Sequence, residues 1–121
     1  MQQITPTLYQ GDMGDALRSA ENDQFDVIVY LGQEAPTKLL FNCQPTCLHI
    51  PLIDGANGLH KIREVLFITY TASIKNKILI ACRAGISRSI LMTAAIYSLT
   101  TKVSFDVSYE YVKKLAPQAQ P

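Results

Sequence analysis

Residues 82–89 read Cys-Arg-Ala-Gly-Ile-Ser-Arg-Ser, preceded by the apolar run "ILIA" and followed by "ILMTAAIY". A loop that leaves a strand at Cys82 and enters a helix at Arg88 turns the unpaired amides of the helix start toward one point, with the positive end of the helix dipole behind them. Such a cradle binds an oxyanion. Gly85, in mid-loop, permits close approach of the backbone to a ligand, and Arg88 adds a planar fork able to hold two phosphate oxygens at once. The same field favours the thiolate of Cys82, which is the nucleophilic form. Sulfur can then attack phosphorus in a bound phosphate ester, and water can hydrolyse the resulting thiophosphate. Ser89 is placed to donate a hydrogen bond to sulfur as it leaves. This chemistry requires Cys82 to be ionised and reachable.

The flanking sequence supplies elements to hold that loop. "ITPTLYQGD" predicts a short strand or hairpin, with "GDMGDALRSA" running into a helix that takes Asp12 and Asp15. "FDVIVYL" over residues 25–31 is a near-continuous β-branched and aromatic run, the pattern of a strand covered on both faces. Asp26 falls at its start. "APTKLLFN" predicts one or two helical turns, and "CLHIPLID" over 47–54 a further strand before the loop "DGANG". Ile62, Val65, Leu66 and Tyr70 recur at helical steps from Leu59 to about Ile74. After the loop, 88 to about 100 reads as an almost wholly apolar, central helix. A last helix runs from about Phe105 to Leu115, capped by Ser104, with Phe105, Tyr109 and Val112 on one face. Strands alternating with helices predict an α/β fold, a mostly parallel sheet of four to five strands flanked by helices on both faces. Residues 1–121 are expected to form one compact domain. In such folds ligands sit beyond the carboxyl ends of the strands, where Cys82 falls.

At these residues the chain resembles the cysteine-dependent dual-specificity phosphatases of the protein tyrosine phosphatase superfamily, whose signature is His-Cys, five residues, Arg, then Ser or Thr. "CRAGISRS" matches all but the histidine, and the likeness extends through "LYQGD", "FDVIVYLG", "LHIPLIDG" and "YEYVKKLAPQAQP". The resemblance implies Cys82 as nucleophile, Arg88 as phosphate clamp, and Arg83, Ala84, Gly85, Ile86, Ser87 and Arg88 as the phosphate-binding loop. It implies Asp54 as general acid toward the leaving alcohol or phenol and as base toward water. Gly55 and Gly58 would let that acid loop move. It implies no metal or other cofactor, and phosphorylated proteins as substrates.

Two departures stand out. Ala81 occupies the position of the family histidine, which predicts a less strongly activated sulfur, and the chain stops at Pro121 where many relatives continue into another helix. Each functional residue also has a plainer reading. Cys82 could be a buried structural cysteine beside a helix start, and Asp54 a turn residue. Cys43 and Cys47 lack a histidine pair and read as ordinary core cysteines rather than zinc ligands; a protective disulfide with Cys82 is the minor alternative. His49 and His60 read as structural or solvated. Arg83, Lys38 and Arg63 could rim the site, and only Arg83 sits in the loop itself.

Eleven Lys and Arg balance ten Asp and Glu, with no long single-sign run, which disfavours general nucleic-acid or membrane binding. Three cysteines in a chain with 48% hydrophobic residues argue against a secreted disulfide scaffold, and no signal peptide or membrane span is legible. A cytoplasmic monomer is the expectation. The leading reading is hydrolysis of phosphotyrosine, phosphoserine and phosphothreonine esters through phosphocysteine. Its rivals are a pseudophosphatase that recognises phosphate without turnover, and the same chemistry on an RNA 5′-phosphate, a phosphoinositide or a phosphosugar. A low-molecular-weight phosphatase or arsenate reductase would carry its motif near the N-terminus. A sulfurtransferase would have no use for Asp54.

Overall fold

A computed structural model describes residues 1–22, 24–41, 46–53, 58–84 and 87–116. Five strands form one sheet in the order β1-β2-β5-β3-β4: β1 (Gln2–Thr5), β2 (Leu8–Gly11), β3 (Val27–Tyr30), β4 (Thr46–His49) and β5 (Ile78–Ala81). Only β1 is antiparallel, joined to β2 by a tight turn, so the expected mostly parallel α/β sheet is what the chain builds. The helices are α1 (Met13–Asn22), α2 (Thr37–Phe41), α3 (Leu59–Ser73), α4 (Arg88–Thr101) and α5 (Phe105–Leu115).

Alternation along the central strands divides the core into two layers. Val27, Val29, Ile78, Ile80 and Cys82 face α3, α4 and α5, packing with Val65, Ile90, Ala94, Ile96 and Val112. Ile28, Tyr30, Leu79 and Ala81 face α1 and α2, packing with Ala16, Ala20 and Leu39. Burial on both sides is why β3 and β5 read as unbroken apolar runs rather than alternating ones.

The start of α1 is closed by its own carboxylates. The Asp15 amide donates to Asp12 Oδ1 at 2.8 Å and the Asp12 amide returns to Asp15 Oδ2 at 2.9 Å, a reciprocal capping box. A Cβ on Gly11 would stand 2.6 Å from Asp15 Oδ2, so this corner requires glycine. Burial pushes the Asp15 carboxyl up. Its bond from the Asp12 amide, the Met1 amino group at 3.3 Å and Arg18 at 2.7 Å outweigh that and hold it below the ordinary value.

Several boundaries differ from the sequence expectation. β4 ends at His49 instead of running to 54. Ile50 and Leu52 still donate to the Tyr30 and Leu31 carbonyls at 3.0 and 2.9 Å, but Pro51 has no amide proton and regular pairing stops. On α3 the buried stripe runs through Val65 and Thr69, while Ile62 is exposed. On α5, Ser104 Oγ accepts from the Val107 amide as the cap reading requires, and Ser108 and Val112 are buried, whereas Phe105 sits at the exposed end of its stripe. Cys47 is disulfide-bonded, not the free core thiol expected, and Cys82 is a free cysteine, so no bridge joins them. Cys43 lies outside the described residues. Among the described helices none is long and apolar enough to cross a membrane.

Candidate active site

Strand β5 ends at Ala81 and α4 begins at Arg88, which places the intervening turn at the carboxyl edge of the parallel sheet. The chain is held on both sides of that turn. Leu31 donates to the Ala81 carbonyl at 2.8 Å, the Cys82 amide reaches the Gly11 carbonyl at 3.4 Å, and the Met13 amide donates to the Arg83 carbonyl at 3.2 Å. On the far side the Leu91 amide donates to the Ser87 carbonyl at 2.9 Å, opening the helical ladder. Gly85 and Ile86 lie outside the described residues, as does Asp54.

Cys82 and Ser89 come together as the sequence reading requires, their Sγ and Oγ hydrogen-bonded at 3.2 Å. Arg88 donates from Nη1 to the Leu52 carbonyl at 2.9 Å, and its buried Nε finds no partner among the described residues. An arginine with one nitrogen committed to backbone and another enclosed without an acceptor is a donor held ready for an anion. The Leu52 bond also ties α4 to the segment that leads into position 54. Arg83 and Ala84 are exposed, and Arg83 joins Arg88 on the wall of a cavity of about 490 Å³. Lys38 and Arg63 are not among that cavity's lining residues. Gly32, Gln33 and Glu34, in the segment after β3, also line the cavity.

One feature departs from the sequence expectation of a reachable sulfur. Cys82 is 1% exposed and belongs to the core layer under α4, and the cavity beside it is lined by the two arginines rather than by sulfur. The strand's alternation turns this side chain inward.

Two further residues of the site were not singled out from the sequence. Tyr30 lines the cavity, is 1% exposed, and pairs with Ala81 across the β3–β5 register. The small side chain at 81 thus leaves that layer to the phenol. A Cβ on Gly32 would stand 2.6 Å from the Tyr30 hydroxyl, so glycine makes room for it. Burial pushes the Tyr30 phenol above its ordinary value, and the neighbouring Cys82 acts in the same direction, against the pull of Arg88 and Arg83. It is therefore a neutral hydroxyl at physiological pH. His49, read as structural, hydrogen-bonds the Gly32 carbonyl through Nε2 at 2.7 Å and lies against the Tyr30 ring. The second residue is Gln10, fully buried, whose Nε2 donates to Ser89 Oγ at 2.7 Å. A signal was present in "LYQG": Leu8 and Gln10 share a face, so a core-facing Leu8 puts the amide in the core as well.

No protein-family model matches the chain. Among curated proteins it is 29% identical to tyrosine-protein phosphatase vhp-1 of Caenorhabditis elegans over 98% of its own length, and 33% identical to dual specificity protein phosphatase 12 of Rattus norvegicus over 60%. The chain spans 19% and 22% of the length of these two curated relatives. Among solved structures, DUSP15 superposes with a TM-score of 0.79 at 26% identity, covering all of this chain and 79% of that one. Human DUSP28 gives 0.76 at 20% identity, covering all of this chain and 87% of that one. In sequence and in fold, the chain is similar to dual-specificity phosphatases.

Proposed function

We propose that this chain is a protein phosphatase that hydrolyses phosphotyrosine, phosphoserine and phosphothreonine esters through a phosphocysteine intermediate. One observation carries the reading: the free Cys82 sulfur is hydrogen-bonded to Ser89 beside an Arg88 whose buried Nε has no acceptor among the described residues, at the carboxyl edge of the sheet. Its phosphatase relatives support the same activity. Arg88 and the amides of residues 83–88 hold the phosphoryl oxygens. The Cys82 thiolate attacks phosphorus, an S–P bond forms, the ester P–O bond breaks, and Asp54 gives its proton to the departing oxygen. Water then attacks phosphorus and passes its proton to the Asp54 carboxylate. The P–S bond breaks, and sulfur leaves as thiolate with the Ser89 hydroxyl donating to it. Cys82 is enclosed, so turnover requires that the phosphoryl group gain access to its sulfur.

That enclosure, with Ala81 in place of the family histidine, favours a second reading as a phosphate-recognition module without turnover. Hydrolysis of p-nitrophenyl phosphate against pH, for wild type, Cys82→Ser and Asp54→Asn, separates the two. The enzyme reading expects a bell-shaped profile, no turnover in Cys82→Ser with phosphate-ester binding kept, and an Asp54→Asn variant slowed about 100-fold with its basic limb flattened. Full activity in Cys82→Ser ends it, and wild type that binds without hydrolysing establishes the module. Phosphopeptides, RNA and phosphoinositides offered in parallel test the substrate class.

A further inference from the structure

A polar side chain buried between a sheet and a helix must find hydrogen bonds there, since unpaired it costs the fold. Gln10 is fully buried in β2, between β1 and β5 in the sheet, with its side chain on the α4 side. Among the contacts of its Nε2 are one to the Gly11 carbonyl at 3.4 Å and a shorter one to Ser89 Oγ at 2.7 Å. Ser89 Oγ is in turn 3.2 Å from Cys82 Sγ. Gln10, Ser89 and Cys82 are each no more than 1% exposed. The three form a closed line from the adjacent strand to the sulfur.

The direction of that line follows from the donor inventory. A hydroxyl has one proton and two lone pairs, and an amide nitrogen can only donate. With one lone pair of Ser89 Oγ taken by Gln10, the hydroxyl proton is turned away from β2. When sulfur is a thiolate it has no proton of its own, so the Ser89 hydroxyl must be the donor between them. An amide that donates into a hydroxyl also polarises it, which strengthens the bond the hydroxyl makes onward. We propose that Gln10 is a positioning residue for Cys82, its amide fixing the Ser89 hydroxyl proton toward the sulfur so that the thiolate is stabilised as nucleophile and again as leaving group. Gln10 touches neither substrate nor sulfur in this scheme. At a position where Ala81 can offer no hydrogen bond of its own, the support comes from the neighbouring strand.

The inference rests on the phosphatase reading for its purpose, but its test does not depend on turnover. Alkylation of Cys82 by iodoacetamide, followed across pH by peptide mass spectrometry, reports the sulfur directly. Gln10→Leu is expected to move that pH profile upward by about half to one unit, since a hydrogen bond to an ionised acceptor is roughly twice as strong as a neutral one and Gln10 acts at one remove. Ser89→Ala should move it at least as far. In the double variant Gln10→Leu should add nothing further, because its route to sulfur is already cut. Shifts that add, or no shift in Gln10→Leu, overturn the proposal, since a packing defect alone would act independently of Ser89. Should Gln10→Leu fail to fold, Gln10→Met, close to glutamine in volume, carries the same cycle. An unreactive Cys82 in wild type at every pH overturns the proposal as well. Absence of p-nitrophenyl phosphate turnover with the non-additive shifts intact removes the phosphatase reading alone.

Discussion

Two helices begin at neighbouring positions on the same edge of the sheet, and they treat their N-termini in opposite ways. Helix α1 follows β2 and closes its first turn with Asp12 and Asp15, whose carboxylates take up the amides at the helix start. Helix α4 follows β5 and has no acidic residue in its first turn; it begins with Arg88 and Ser89 beside a cysteine. A backbone that offers positive charge at both places is neutralised internally at one and left for a visitor at the other. Carboxylates at the helix start thus distinguish a structural terminus from a candidate anion site, and the two termini are joined by the bond from Met13 to Arg83.

The largest test of this contrast is Arg88→Lys. Lysine keeps the charge but cannot span two phosphate oxygens while also holding the Leu52 carbonyl, so kcat/KM toward p-nitrophenyl phosphate should drop about 100-fold. Loss of less than threefold would mean that charge alone suffices. Next, Ser87→Asp makes α4 resemble α1 by placing a carboxylate at its cap. Inorganic phosphate should then bind about tenfold more weakly as a competitive inhibitor, while stability to urea stays level or rises by a few tenths of a kcal/mol. Unchanged phosphate affinity would show that the anion is held elsewhere. Removing the α1 cap with Asp12→Ala should do the reverse, costing about 1 kcal/mol of stability with kcat/KM altered less than twofold. The smallest effect concerns acid. Because the folded carboxyl of Asp15 sits below its ordinary 3.8, its contribution is present above that pH and is lost as pH falls through the folded value. Thermal melts between pH 5 and pH 2.5 should show Asp15→Asn losing less stability than wild type over that fall, and parallel curves would refute the assignment.

Much of this was legible because the signals were local. The C-x5-R spacing, the unbroken apolar run of β5 and the Ser104 cap each sit within a few residues of what they specify, and the strand, turn and α5 boundaries follow from them. The Cys82–Ser89 bond was legible for the same reason, both partners lying on one turn. Gln10 was not, because its partner is 79 residues away and a glutamine in a strand ordinarily faces water; only the placement of β2 beside β5, with α4 over that face, buries it. Tyr30 was absorbed into an apolar run, and its role emerges only once the register sets it opposite Ala81. The depth of Cys82 was not legible either, because only the assembled layer under α4 encloses a side chain at the end of the strand. Helical spacing puts Ile62 and Phe105 on apolar stripes, but spacing fixes a stripe and not how far the neighbouring elements extend to cover it, and both are exposed.

The bond from Arg88 Nη1 to the Leu52 carbonyl has a directional consequence. A guanidinium is flat and its donors point along fixed edges, so filling the prong at Nη1 leaves the flank that carries Nε as the docking edge. An incoming oxyanion is thereby steered to approach sideways on, in the plane of the group, rather than head-on along the side chain. The trajectory of the guest is set by a carbonyl it never meets.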